Sequence, residues 1–292
     1  MRIVLFGGGH KGSVILKRLL ELQSDVVGIV ALQEDRHENI WYERVQEIAG
    51  DIPVISYDSD LFLALNDIKP DVIFVAGWRY KIPKEQYSIP PKGCIVFHDS
   101  LLPKYRGFAP MNWAIINGET KTGATMFYID EEIDSGAIIA QKEVTIGILD
   151  DAKTVEIKIS NLYVELLTEW LPNISGGTVV GIPQDHSQAT YTCKRTPMDG
   201  LIDWERSSIE IYNLVRGLVY PYPAAYSYIE DFECPILQAR FEHEQKNYVG
   251  RVPGRVVCIL KDNWVEVLTG DGSILVKPVK VVRSIKATFV GK

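Results

Sequence analysis

Four short runs of β-branched and aromatic residues, at 3–6, 26–32, 72–76 and 95–97, recur along the first hundred residues, with helical stretches at 13–22 and 59–68 between them. Runs this apolar suit strands buried on both faces, and strands joined through helices run parallel because each crossover returns the chain to the same end. The expected fold class is therefore α/β, a Rossmann-like, doubly wound and mainly parallel sheet. Ligands of such sheets bind outside the carboxyl ends of the strands, so chemistry is expected just after each run.

Further along, residues 151–170 place Val155, Ile159, Leu162, Leu166 and Leu167 on one helical face. The stretch 173–200, after Pro172, is rich in turn formers. From Asp203 a helix carrying Ile209, Ile211, Leu214 and Val215 precedes strand candidates at 256–260, 265–269 and 274–279. Two domains are expected: 1–202, and a smaller β-rich domain at 203–292. The net charge of −7 argues against a nucleic-acid partner held by overall positive charge. Four cysteines without a CxxC pair give no zinc or disulfide spacing, so no metal is expected. Without an 18-residue apolar run or a signal-peptide core, the sequence reads as a soluble cytoplasmic protein with no membrane partner.

Gly7, Gly9 and Gly12 spell G-x-G-x-x-G after the first run, and Glu34 and Asp35 stand where an acidic ribose partner would follow the second. This matches the fingerprint of a dinucleotide-dependent oxidoreductase. The competing reading is a tight turn whose glycines allow close backbone approach.

The richest segment is GCIVFHDSLLPKYRGFAPMNWAIINGETKTGATMFYIDEEIDSGAIIAQKEV, from 93 to 144. A strand ends in His98, and Pro103, Gly107 and Pro110 mark 99–110 as a loop. Pro110 opens a short helix that Asn117 and Gly118 end. A second strand at 125–129 leads to Asp134, in a turn bounded by Gly136. Taken singly, His98 is a strand-end histidine and Asp134 a turn former. Taken together beside one crevice, they are candidates for acid–base work.

The loop SLLPKYRG, the segment APMNWAIINGET and the turn IDSGAIIAQ, in this order and spacing, resemble the folate-dependent formyltransferases, most closely those acting on nucleotide-linked 4-amino sugars. The pair Asn112–Trp113 favours the sugar branch over the tRNA branch. The resemblance implies transfer of a formyl group from N10-formyltetrahydrofolate to the amine of a UDP- or dTDP-linked amino sugar, a barrel-like C-terminal module and a possible homodimer. It maps the catalytic pair onto His98 and Asp134. Val96 stands where the family has an asparagine two residues before the histidine, so one hydrogen-bond donor is missing from that face of the strand. The folate loops fall on Trp78, Arg79, Tyr80, Lys81 and Ile82, and on the backbone from Ile129 to Ile133. His10, Lys11, Ser100, Lys104, Tyr105, Arg106, Asn112, Arg195 and Asp199 are the expected substrate contacts. Three rival readings are a tRNA-directed formyltransferase, a non-catalytic folate or sugar-nucleotide binder, and the oxidoreductase above.

Overall fold

A computed structural model describes residues 1–33, 40–58, 60–229, 231–241, 246–282, 284 and 287–291. Glu34, Asp35 and Ser59 lie outside the described residues. The chain divides into two compact units, one built from 1–110, 121–145 and 156–193, the other from 111–120, 146–155 and 194–292.

In the first unit the four apolar runs become β1 (Arg2–Gly7), β2 (Asp25–Ala31), β4 (Val72–Ala76) and β5 (Cys94–His98), and a two-residue strand that was not predicted, β3 (Val54–Ile55), joins them in the parallel order β3-β2-β1-β4-β5. β4 is buried at every residue, as a central strand covered on both faces must be. The crossovers contain α1 (Gly9–Glu21), α2 (Val45–Ile48), α3 (Leu61–Ile68) and α4 (Lys84–Tyr87). Leu61 and Leu65 of α3 pack with Val4, Phe6, Val30, Ile73, Val75 and Cys94 in one core cluster. The glycine-rich segment after β1 is a tight strand-to-helix turn, and a side chain at Gly12 would collide with the backbone of Gly7.

The sheet then changes direction. A two-residue strand, β6 (Arg106–Gly107), precedes α5 (Pro110–Ile116); β7 (Lys121–Tyr128) and β8 (Ile138–Thr145) follow. β7 pairs antiparallel with β5 and β8 antiparallel with β7, completing seven strands. α6 (Ala152–Gly176) carries Val155, Ile159, Leu166 and Leu167 on its buried face. It runs through Pro172, where the sequence reading ended it, because buried Ile174 holds the next turn in place. Within the turn-rich stretch, β9 (Tyr191–Thr192) pairs in parallel with β6.

In the second unit α7 (Ser208–Gly217) opens on Ser207, whose hydroxyl accepts from the Glu210 N–H while the Glu210 carboxylate accepts in return, a reciprocal cap. Ile211 and Val215 are buried, whereas Ile209 is turned outward. Six antiparallel strands follow: β10 (Tyr226–Ile229), β11 (Phe232–Arg240), β12 (Val256–Ile259), β13 (Val265–Leu268), β14 (Ser273–Pro278) and β15 (Phe289–Val290), in the order β12-β13-β14-β11-β10-β15. The last three predicted strands are present as β12, β13 and β14. The β10–β11 hairpin was not predicted.

One backbone contact fixes the carboxyl edge of β4. Gly77 has φ 66°, and a Cβ there would lie 2.0 Å from the Gly8 carbonyl oxygen. Gly77→Ala combines a left-handed backbone penalty with that clash, and is expected to cost about 2–4 kcal/mol, read as a lower urea midpoint at unchanged m.

Candidate functional site

Beyond the carboxyl ends of β1, β4 and β5 the first unit holds a cavity of about 310 Å³. Trp78, Arg79, Tyr80, Lys81 and Ile82, after β4, line it together with Ile129 and Ile133 from the segment after β7, so the sequence-derived loop residues share one cavity. His98, Asp134, Lys11 and Val96 line it as well. Val96 is half-buried between Val75 of β4 and Phe127 of β7, an apolar position without a side-chain donor.

His98 is held from two sides. Nε2 lies 2.8 Å from the Tyr105 carbonyl, an oxygen that only accepts, so this nitrogen carries the hydrogen. Nδ1 faces Asp134 Oδ2 at 3.6 Å, longer than a hydrogen bond and within ion-pair range. Asp134 has φ 51°, a conformation its short polar side chain tolerates. Its carboxylate accepts from the Gly107 N–H at 2.7 Å, and its carbonyl accepts from Gln184 Nε2 at 2.8 Å.

Gln184 in turn accepts two hydrogen bonds from Arg106, at 3.2 and 2.6 Å. Arg106 also donates to the Tyr191 hydroxyl and lies with Nη2 3.3 Å from His186 Nδ1. It is 1% exposed, which corrects its reading as a phosphate contact: the guanidinium points into the protein and orders the turn carrying Asp134. Ser100 is likewise a loop staple, buried and donating to the Lys104 carbonyl, and Lys104 is exposed. Tyr105 acts through its backbone, accepting from His98 and donating to Thr190 Oγ1.

His10 and Lys11, also expected as substrate contacts, have partners within the protein. His10 stacks on Trp41, with 4.6 Å between ring centroids, and meets Ser160 Oγ at 3.1 Å. Burial, reinforced by Lys11 and Lys17, pushes its pKa down to about 4, so at neutral pH it brings no cation. Lys11 is ion-paired with Asp99, which also accepts from the Tyr163 hydroxyl. Burial opposes the charge on Lys11 and Asp99 alike, but their mutual attraction wins, raising the ammonium and lowering the carboxylate from their ordinary ranges. Burial first, then Asp99, raises the Tyr163 phenol well above its usual value. Asp99 and Tyr163 escaped the sequence reading. Asp99 stood directly after His98 in the motif, but Tyr163 gave no sign beyond a helix face.

In the second unit, Asn112 is buried and donates one amide N–H to the Gly217 carbonyl at 2.9 Å. Asp199 accepts from the Thr196 N–H and hydroxyl and caps a short helical turn. Arg195 lies over the Trp113 ring, 5.1 Å from its centroid.

Comparison with known proteins places this geometry. A family model described as formyl transferase matches residues 1–171, and one described as formyl transferase, C-terminal domain, matches 194–288. The chain belongs to the formyl transferase family. It is 32% identical over 289 residues to a methionyl-tRNA formyltransferase of Alkaliphilus oremlandii (strain OhILAs), covering 96% of this chain and 92% of that one. Two solved structures share the fold. An N-formyltransferase from Helicobacter canadensis, in complex with folinic acid and dTDP-3-aminofucose, is 19% identical with a TM-score of 0.74, covering 94% of this chain and 98% of that one. A HypX variant from Aquifex aeolicus is 21% identical with a TM-score of 0.67, covering 94% of this chain. The formyltransferase chain spans only 43% of HypX. No described helix is long and apolar enough to cross a membrane.

The shifted histidine sets a pH window. Unfolded His10 takes up a proton near pH 6.5, and the folded ring resists it down to about pH 4, so folding stability falls as pH drops between those values. Since the ring is only partly shielded, the loss attributable to it is about 1–2 kcal/mol after allowing for solvent screening. Urea unfolding at pH 7 and pH 4.5 is expected to show a smaller difference in His10→Gln than in wild type.

Proposed function

We propose that the protein moves a formyl group from N10-formyltetrahydrofolate to the amine of a nucleotide-linked 4-amino sugar. The observation that carries this reading is His98 facing Asp134 in a cavity with one apolar wall, in a chain of the formyl transferase family. Val75, Ile82, Val96, Phe127 and Ile129 offer a slot for a flat heterocycle, and a cavity of about 310 Å³ is within the range that holds small ligands. The Trp78 indole N–H is buried without a hydrogen-bond partner among the described residues, which suits a ligand bringing an acceptor. When bound, the folate supplies a formyl carbon already attached to a departing nitrogen.

The residues then have defined tasks. The acceptor amine enters neutral, its lone pair forms the new C–N bond, the bond to N10 breaks, and one amine proton ends on N10. His98, coupled to Asp134, holds that proton in transit, and Tyr105 and Gly107 fix the orientation of the two side chains. The Arg106–Gln184 bonds keep the aspartate turn in register. No proton has to travel through bulk water. The sugar acceptor is supported by the Asn112–Trp113 pair, the charge of −7 and a fold shared over nearly the full length with a formyltransferase crystallised with a dTDP-amino sugar. A second reading, formylation of an aminoacyl-tRNA, is favoured by the 32% identity to a methionyl-tRNA formyltransferase.

Transfer of labelled formyl to UDP- and dTDP-linked 3- and 4-amino sugars tests the first reading. Binding of charged initiator tRNA with a steep salt dependence, together with no sugar transfer, would reverse it. In the productive assay His98→Ala and Asp134→Ala are each expected to lower kcat by about 10²–10⁴, and the double variant by little more than the worse single one. Wild-type turnover in His98→Ala would remove the proposed role of the pair.

A further inference from the structure

Lys11, Asp99 and Tyr163 form a second polar cluster in the same cavity, and the proton path through His98 makes no use of it. Burying an ion pair in a protein interior is costly and contributes little net stability, so its place in a cavity wall points to chemistry. Asp99 is fully engaged, taking Lys11 on one oxygen and the Tyr163 hydroxyl on the other. Lys11 is not: its hydrogen bond among the described residues goes to Asp99, leaving two of its three N–H groups for a ligand. Apart from the Trp78 N–H on the loop after β4, which has no partner among the described residues, the cavity's other side-chain groups are spent, apolar or exposed. His98 Nε2 is bonded to Tyr105, the Tyr163 proton goes to Asp99, Val96 has no donor, and Arg79 and Lys81 sit on the exposed loop after β4. The cavity lies across the strand ends, so it is reached from both faces of the sheet, by Val96 and His98 from one and by Phe97, Asp99 and Tyr163 from the other.

We propose that Lys11, on α1 and anchored by Asp99 and Tyr163, is the hydrogen-bond donor to the formyl oxygen, taking the task that Val96 leaves undone on β5. The inference rests on the formyl-donor reading above. An ammonium in a sheltered cavity strengthens its hold on that oxygen as negative charge develops there, and the Asp99 carboxylate keeps the cation in place between turnovers. Asp99 and Tyr163 are positioning residues; Lys11 meets the substrate.

The test compares binding of 10-formyl-5,8-dideazafolate, a stable formyl-bearing analogue, with 5,8-dideazafolate lacking the formyl group, by tryptophan fluorescence. Wild type is expected to prefer the formyl analogue about tenfold, the scale of one charge-assisted hydrogen bond. The preference is expected to vanish in Lys11→Met. It is also expected to vanish in Lys11→Met/Asp99→Asn, a neutral pair that avoids stranding a buried carboxylate should the single variant fail to fold. Retention of the preference in the neutral-pair variant, with a wild-type melting temperature, would overturn the role of Lys11, as would wild type binding both analogues equally. Failure of wild type to bind either analogue would overturn the folate-donor reading itself, and this inference with it.

Discussion

The buried guanidinium of Arg106 is held by side-chain dipoles. Among the described residues it has no carboxylate partner, and Gln184, Tyr191 and His186 satisfy it instead. A cation in that position stays folded only while those dipoles converge on it, so the constraint works in both directions. Arg106 can be buried because the 184–192 segment wraps it, and the segment has a fixed path because Arg106 must be satisfied. The β6–β9 pairing and the bonds from Gln184 to the carbonyls of Asp134 and Gly136 follow from the same arrangement. The turn that carries the aspartate opposite His98 is thus held, through Gln184, by a residue outside the cavity lining, while the Gly107 N–H orients the carboxylate itself.

The cavity divides its labour between two kinds of wall. Val75, Val96, Phe127 and Ile129 exclude water without offering bonds, which strengthens every electrostatic interaction at the other wall. There, Lys11 and Asp99 hold opposite charges in contact, and His98 and Asp134 face each other a short distance away. Val96, two residues before His98 on β5, makes the apolar wall more continuous than an amide would.

The central strands β1, β2, β4 and β5 were legible because they are largely buried on both faces and so are written as nearly unbroken apolar runs, whereas β3 is two residues long and β8 alternates with polar residues. His98 and Asp134 were legible as placements because a strand end and a turn carry local signals, a run that stops and a glycine that follows. Partnerships across long sequence separations left no such trace. Nothing in the spacing of Lys11 and Asp99, 88 residues apart, or of Asp99 and Tyr163, 64 apart, marks them as partners. Arg106 misled for a related reason. A lone arginine in a loop of turn formers reads as solvated or ligand-facing, and only the fold brings Gln184 to it. The β10–β11 hairpin was missed because β11 mixes buried Cys234 and Ile236 with exposed Phe232, Glu233 and Leu237, blurring the alternation that announces a strand.

The stapling of loop 99–110 to the segment ending at Thr192 has a consequence for synthesis. Arg106 and Tyr191 are 85 residues apart, so a ribosome adding about 5–20 residues per second needs roughly 4–17 s to deliver the second after the first. During that interval the central strands and His98 can already be in place while the aspartate turn waits for its anchor. The nascent chain would pass through a stage in which the sheet exists and its active constellation does not, and a pause in translation between 107 and 190 would prolong that stage.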